Sequence, residues 1–382
     1  YMRKMENLKS RLLKLFSLIL LFIFLGSMQG CYSYEDINNG IFVTTIIFDE
    51  NEIGDVELYL DTVKPYRSAN ESSDKGQREV YQGTGRTVGE AIKAINLQAS
   101  GQISFSQCKA YIFTEQVSKE GIKKFMDAIN RNQEFMIRPY MFVLFGSPSE
   151  LLNQVTGDEE YLGIYLNQLV KKMNENPKVI AINANNYLAA RTSYNNIAVL
   201  GALTIENNNG KKSLDLSGGA LFKDEVMVRK ISTSEGMSYN FLTGRVRSGT
   251  LEAINPQDTN SFVTLEIQNS KTTTSINYDG ERIKLYKKIV IDCYLADSQS
   301  RLMVDKDVLN IIKYEEESML SQYIQILFTK FKNDNLDIAN VATLFEQEYP
   351  NITLSVDPLT ITDLDLDIDI KINGTSKVAD TF

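Results

Sequence analysis

Val80-Tyr81-Gln82-Gly83-Thr84-Gly85-Arg86-Thr87-Val88-Gly89-Glu90-Ala91 admits two readings, a nucleotide-binding loop or a strand that turns into a capped helix. Its glycines are spaced G-x-G-x-x-x-G, one residue longer than the dinucleotide fingerprint. No acidic residue about 20 positions on sits at a strand end, where a ribose would need it. Thr87 and Glu90 instead form a T-x-x-E capping box, whose hydroxyl and carboxylate accept bonds from free backbone N–H groups. This predicts a strand through Val80-Tyr81 followed by a capped helix through about Gln98, and it sets helix capping ahead of phosphate binding.

The surroundings extend the same α and β mixture. Gly40 to Glu50 and Glu52 to Val63 read as strands, and the polar run from Pro65 to Gln77 as a loop. A strand from Phe105 to Thr114 precedes a helix from Val117 to about Asn130, which places Ile122, Phe125, Met126 and Ile129 on one face. Tyr140 to Phe145 is apolar throughout, the mark of a strand covered on both faces. Helices are predicted over Glu159 to Met173 and Ala184 to Ala190. From Ile197 to Asp297 strands follow one another, with hairpin signals at Asn209-Gly210 and Asp279-Gly280, which predicts a β-rich module. Asp305 to Lys332 is predicted helical, with Val308, Ile312, Met319, Tyr323 and Ile326 as its apolar stripe and Glu315-Glu316-Glu317 on a solvated face. A second helix runs from Ile338 to Glu348, and Ile361 to Ile372 alternates as a strand with Asp363, Asp365, Asp367 and Asp369 on one side. Those aspartates fail the spacing of a calcium loop, which needs Gly sixth and Glu twelfth; from Asp363 these are Ile368 and Gly374. Their mutual repulsion calls for a cation site of another kind or, equally well, for Lys or Arg from an adjoining strand or subunit.

The N-terminal end sets the compartment. Arg3, Lys4, Lys9, Arg11 and Lys14 precede an apolar run from Leu15 to Leu25, and Gly26-Ser27-Met28-Gln29-Gly30 leads into Cys31. These are the parts of a secretory signal peptide, with a run short of the roughly 20 residues a membrane-spanning helix needs. Cys31 after Gly30 resembles the lipobox of bacterial lipoproteins, although Met28 and Gln29 depart from its preferred residues. Two acyl chains make a stable anchor, since each buried methylene contributes about 0.8 kcal/mol. Of 382 residues, 30 fall in the signal, leaving 352. The signal holds five of the 40 basic and one of the 49 acidic residues, so the remainder carries 35 against 48, a net charge of −13. That balance argues against nucleic acid as a partner. There is no histidine, which removes the commonest general base and metal ligand. Cys108 and Cys293 lie in strand-like surroundings and read as small buried hydrophobes.

The predicted fold class is α+β and multi-domain, with mixed β-sheets flanked by helices after an N-terminal lipoprotein signal peptide. The expected division is a signal peptide over 1–30, an α+β domain over 31–195, a β-rich domain over 196–300 and a C-terminal α+β domain over 301–382. Cys31 is the expected lipidation site; no catalytic residue, cofactor or metal site is expected.

Several stretches carry a resemblance. Cys31-Tyr32-Ser33-Tyr34-Glu35-Asp36-Ile37, with Tyr32 for the usual Trp, Gly85 to Ala91, Phe105-Ser106-Gln107-Cys108-Lys109 and Arg131-Asn132-Gln133-Glu134 are similar in order and spacing to motifs of the Ger(x)C lipoproteins. Gly219 to Asp224, Glu235-Gly236, Phe241 to Gly244 and Asn335-Leu336-Asp337-Ile338 continue the likeness, with Arg229 where Gly is common. Ger(x)C proteins are the C subunits of germinant receptors in endospore-forming bacteria. The resemblance implies three domains, no enzymatic activity, a lipid anchor on the outer face of the spore's inner membrane, and partnership with A and B membrane subunits. Two other readings stand behind it: a solute-binding lipoprotein of a transporter, against which the all-β stretch argues, and a cell-wall hydrolase using paired carboxylates, for which no pair is singled out.

Overall fold

Apolar β5 (Ala110–Thr114) and β6 (Tyr140–Phe145) form the centre of the first of two sheets. The computed structural model describes residues 14–20, 40–65, 76–153, 161–173, 176–193, 195–208 and 211–375. The other strands of this sheet are β1 (Gly40–Glu50), β2 (Val56–Lys64), β3 (Gln77–Gly85), β4 (Gln102–Ser104), β7 (Ile182–Asn183), β8 (Ile197–Asn208), β9 (Lys211–Lys223) and β10 (Val226–Ile231). The order is β10-β9-β8-β6-β5-β1-β2-β3, with β4 beside β1 and β7 beside β6. The pairs β1/β5, β5/β6 and β6/β8 are parallel, and antiparallel strands close each end.

Parallel strands of continuous apolarity need cover on both sides, and they have it. On one face α1 (Val88–Gln98), α2 (Glu115–Glu120), α3 (Lys123–Arg131) and α6 (Ala184–Arg191) enclose a core around Phe48, Tyr111, Phe113 and Phe125. On the other, α4 (Pro148–Asn153) and α5 (Leu162–Met173) pack over Ile47, Ile112, Phe142 and Leu144. Fully buried Asp61 ties α5 to the sheet. Its carboxylate accepts the Thr44 hydroxyl at 2.6 Å and the Leu162 N–H at 2.9 Å, and it pairs with Arg78 at 2.5 Å. Gly163 makes this approach possible, because a Cβ there would stand 2.0 Å from the Thr44 carbonyl oxygen.

The second sheet is β11 (Gly249–Asn255), β12 (Asp258–Tyr278), β13 (Ile283–Ser298) and β14 (Thr362–Thr375), in that order. The last pair is parallel, so its connection crosses over through α8 (Lys306–Asn333) and α9 (Val341–Glu348). The core of this second unit lies between the sheet and α8.

Four expectations need correction. The β-rich module does not begin at Ile197: β8 pairs with β6, placing Phe142 opposite Gly201 and Phe145 opposite Thr204, so β8 to β10 complete the first sheet. The segments 196–300 and 301–382 are not separate either, because β14 joins β13; the chain forms two units where three were expected. Hairpin texture shows that strands pair with each other but not which sheet they join. Inside the stretch predicted to be all strand, Ser232 and Glu235 form a complete capping box that starts α7 (Thr233–Leu242). The single helix predicted from Val117 is also two, broken where Gly121 takes a φ of 115° and the Ile122 N–H bonds to the Glu225 carbonyl.

Candidate functional site

α8 carries the largest departure from the predicted pattern. Its buried residues are Val308, Ile312, Glu316, Leu320, Ile324, Leu327, Phe328 and Phe331, so the stripe passes through Glu316. Of the Glu315-Glu316-Glu317 run, Glu315 alone is exposed. Glu317 accepts the Ile370 N–H at 2.7 Å, binding α8 to the edge strand β14. Glu316 is 4% exposed, and its Oε2 has no hydrogen-bond partner among the described residues. Burial, with repulsion from Glu252 second, pushes its carboxyl up to about 7. Tyr323 and Ile326, expected in the stripe, are more than half exposed. A groove of about 330 Å³ opens beside Glu316, bordered by Met237, Ile254, Phe262, Met319 and Tyr323.

The aspartate stripe lies on β14, where its partners are cationic side chains. Arg282 binds Asp363 through two nitrogens, at 2.8 and 2.6 Å. Lys288 reaches Asp367 at 2.6 Å and Lys313 reaches Asp369 at 2.9 Å. Arg282, Asp363, Lys288 and Asp367 are more than half exposed and Lys313 and Asp369 about a third, so each pair contributes about 0–1 kcal/mol, and together they offset repulsion along the strand. The second of the two explanations offered from the sequence, basic residues from neighbouring elements, is therefore what the structure shows. Among the described residues, no three His, Cys, Asp or Glu side chains are placed to hold a metal ion.

Where the units meet, the Leu336-Asp337-Ile338 turn is central. Buried Asp337 accepts the Val341 and Ala342 N–H groups at 2.9 Å each, capping α9, and also accepts the Asn195 side-chain amide of the first unit. Desolvation raises its pKa above the usual carboxylate range, against the lowering effect of those bonds. The Lys223 ammonium donates to the Asn335 carbonyl at 3.2 Å, Arg229 pairs with Asp334 at 2.5 Å while stacking on Phe331, and Lys330 pairs with Glu235 at 2.5 Å. Thr272 donates to the Phe241 carbonyl, joining β12 to α7. Nearby, Lys287 is 5% exposed on the inner face of β13 and donates to Thr274 at 2.9 Å. Burial lowers its pKa to about 8, opposed by attraction to Asp337.

Among the described residues, most of the motif residues quoted from the sequence gather in two places. Gly219 to Asp224, Arg229, Glu235-Gly236, Phe241 to Gly244 and Asn335 to Ile338 all lie around the junction. Val88, Gly89 and Arg131 to Glu134 line one surface hollow on the first unit together with Phe135. Thr87 caps α1 as predicted, accepting the Glu90 N–H, while the Glu90 carboxylate accepts the Arg86 N–H one residue earlier than a strict capping box would. Gly83 and Gly85 let α1 lie flush on β3: a Cβ at Gly83 would meet Ala91 O at 2.5 Å, and one at Gly85 would meet Ala91 N at 2.6 Å. Cys108 and Cys293 are buried free thiols, each pushed up to about 12 by burial. Cys31 and the leader lie outside the described residues, apart from a helical stretch over 14–20. No helix among the described residues is long and apolar enough to cross a membrane.

Comparison with known proteins covers both units, with the boundary between the two matches falling across the β8–β9 hairpin of the first sheet. Residues 33–205 match the family described as spore germination protein N-terminal domain, and residues 217–376 match spore germination B3/GerAC like, C-terminal. The Bacillus cereus spore germination protein GerQC is 26% identical over 218 residues, covering 56% of this chain and 58% of that protein. The crystal structure of the GerBC protein is similar with a TM-score of 0.54 at 15% identity, covering 86% of this chain and 96% of that one, which shows a shared fold. With both units matched nearly end to end, the chain belongs to the Ger(x)C family of spore germination proteins, the family of germinant-receptor C subunits.

Proposed function

We propose that this chain is a non-catalytic, lipid-anchored C subunit of a germinant receptor, held through Cys31 to the outer face of the spore inner membrane and assembled there with A- and B-type membrane subunits. The match of both units to the spore germination family carries this reading. The sequence adds a basic leader, an apolar run and a cysteine after a small residue. Eight residues lie between Cys31 and Gly40, the start of β1, and the nine steps can span at most about 30 Å. An acylated Cys31 therefore keeps that end of the ten-stranded sheet close to the bilayer, where confinement raises the effective concentration beside membrane partners and lets modest interfaces suffice.

The anchor is tested by membrane fractionation of spores and intact-mass measurement of the extracted protein. The expected wild-type product sits in the membrane fraction, begins at Cys31 and carries acyl chains, whereas C31A is unacylated and leaves the membrane. An unmodified wild-type Cys31, or a C31A variant held as firmly as wild type, overturns the anchor.

A further inference from the structure

We propose that the groove at Glu316 is a binding site for a small organic ammonium ion, with the ammonium on the Glu316 carboxylate and the apolar part of the ligand against Phe262, Met319 and Tyr323. Buried polar groups in folded proteins are nearly always satisfied, and an unpaired buried acceptor needs a specific explanation. Glu316 sits where α8 would otherwise continue an unbroken apolar stripe from Ile312 to Leu320, and its Oε2 has no partner among the described residues. The residue borders an open groove of about 330 Å³, within the size range of small-ligand pockets.

The surrounding charge selects the sign of the ligand. Glu252 on β11 repels the Glu316 charge and adds a second negative group. Lys178 also borders the groove, but it is not among the charges that act on Glu316. The walls are mainly apolar or aromatic; Phe262 is 46% and Tyr323 52% exposed. Aromatic faces attract ammonium groups as well as hydrocarbon. An anion would meet two carboxylates against the one ammonium of Lys178 among the lining residues, and a neutral apolar ligand would leave the buried Glu316 charge without a counterion.

The test is a thermal-unfolding titration of the full chain in detergent with three probes: 2-phenylethylamine, the isosteric 2-phenylethanol and 3-phenylpropionate. The amine is expected to raise the wild-type melting temperature by several degrees at saturation, and the other two probes to leave it unchanged. E316Q, which keeps the side-chain shape, is expected to melt no lower than wild type without ligand and to bind the amine at least about tenfold more weakly. Tyr323→Ala, at the exposed rim, is expected to weaken binding several-fold. No response of wild type to the amine, or equal responses of wild type and E316Q, overturns the proposal. An equal response to 2-phenylethanol reduces the groove to an apolar slot and overturns the role given to Glu316.

Discussion

Glu316 titrates at about 7 in the folded chain against an ordinary value of 4.5, chiefly because its burial penalises the charge. Between those two values the folded state holds more protons than the unfolded one, so stability falls as pH rises from about 4.5 to 7 and stays reduced above that. The loss is on the order of 3 kcal/mol. E316Q is expected to remove it: urea midpoints of variant and wild type converge near pH 4.5, and the variant is the more stable at pH 8. Parallel pH curves would refute this. Lys287 gives the mirror case. Its depressed value, about 8 against 10.5, means stability rises with pH across that interval, and at pH 7 the buried ammonium is a cost. K287M should therefore stabilise the chain at pH 7 by about 1–3 kcal/mol in urea unfolding. At this scale the sequence was partly legible. Strict alternation gave the Asp363 to Asp369 face, and apolar neighbours gave the burial of Cys108 and Cys293. Glu316 was missed because it sits in a glutamate run, although Val308, Ile312, Leu320 and Ile324 at four-residue steps leave one gap, at 316.

Among the elements, close approach and capping decide what a substitution costs. Gly163→Ala would drive a methyl group into the Thr44 carbonyl and push α5 off β1. The expected cost is about 3 kcal/mol, read as a lower melting temperature with the helix content retained. Asp337→Ala removes the acceptor of two α9 amides and of the Asn195 side chain. The expected loss is about 2–3 kcal/mol. A double-mutant cycle with Asn195→Ala should show coupling between the units, and strict additivity would count against the contact. The capping box at Thr87 was readable because glycines and an apolar period frame it. The equivalent box at Ser232 and Glu235 was passed over because strands surround it on both sides. The break at Gly121 depends on a bond to Glu225, more than 100 positions away, which local periodicity does not report.

The whole molecule is arranged by strand pairing between distant segments. β8 joins β6 and β14 joins β13, and each partnership is set by burial of apolar faces rather than by any local signal. That is why the α+β class was legible while the boundaries at 195/196 and 300/301 were not. A fragment of residues 31–195 keeps the short β7 pairing but lacks β8, which leaves Phe142 to Phe145 of apolar β6 as an open edge. It is expected to aggregate on size exclusion; a soluble, cooperatively folded fragment would contradict the sheet order. In the proposed receptor, the exposed face of α8, with Tyr314, Tyr323 and Ile326, is the surface this arrangement leaves to meet membrane partners. The most direct measurement of that central claim is co-purification of the tagged chain from detergent-solubilised spore inner membrane, read by mass spectrometry. Recovery of a permease-like polytopic protein together with a second large membrane subunit is the predicted result. Recovery of the chain alone, in a detergent that keeps other membrane complexes intact, would contradict it.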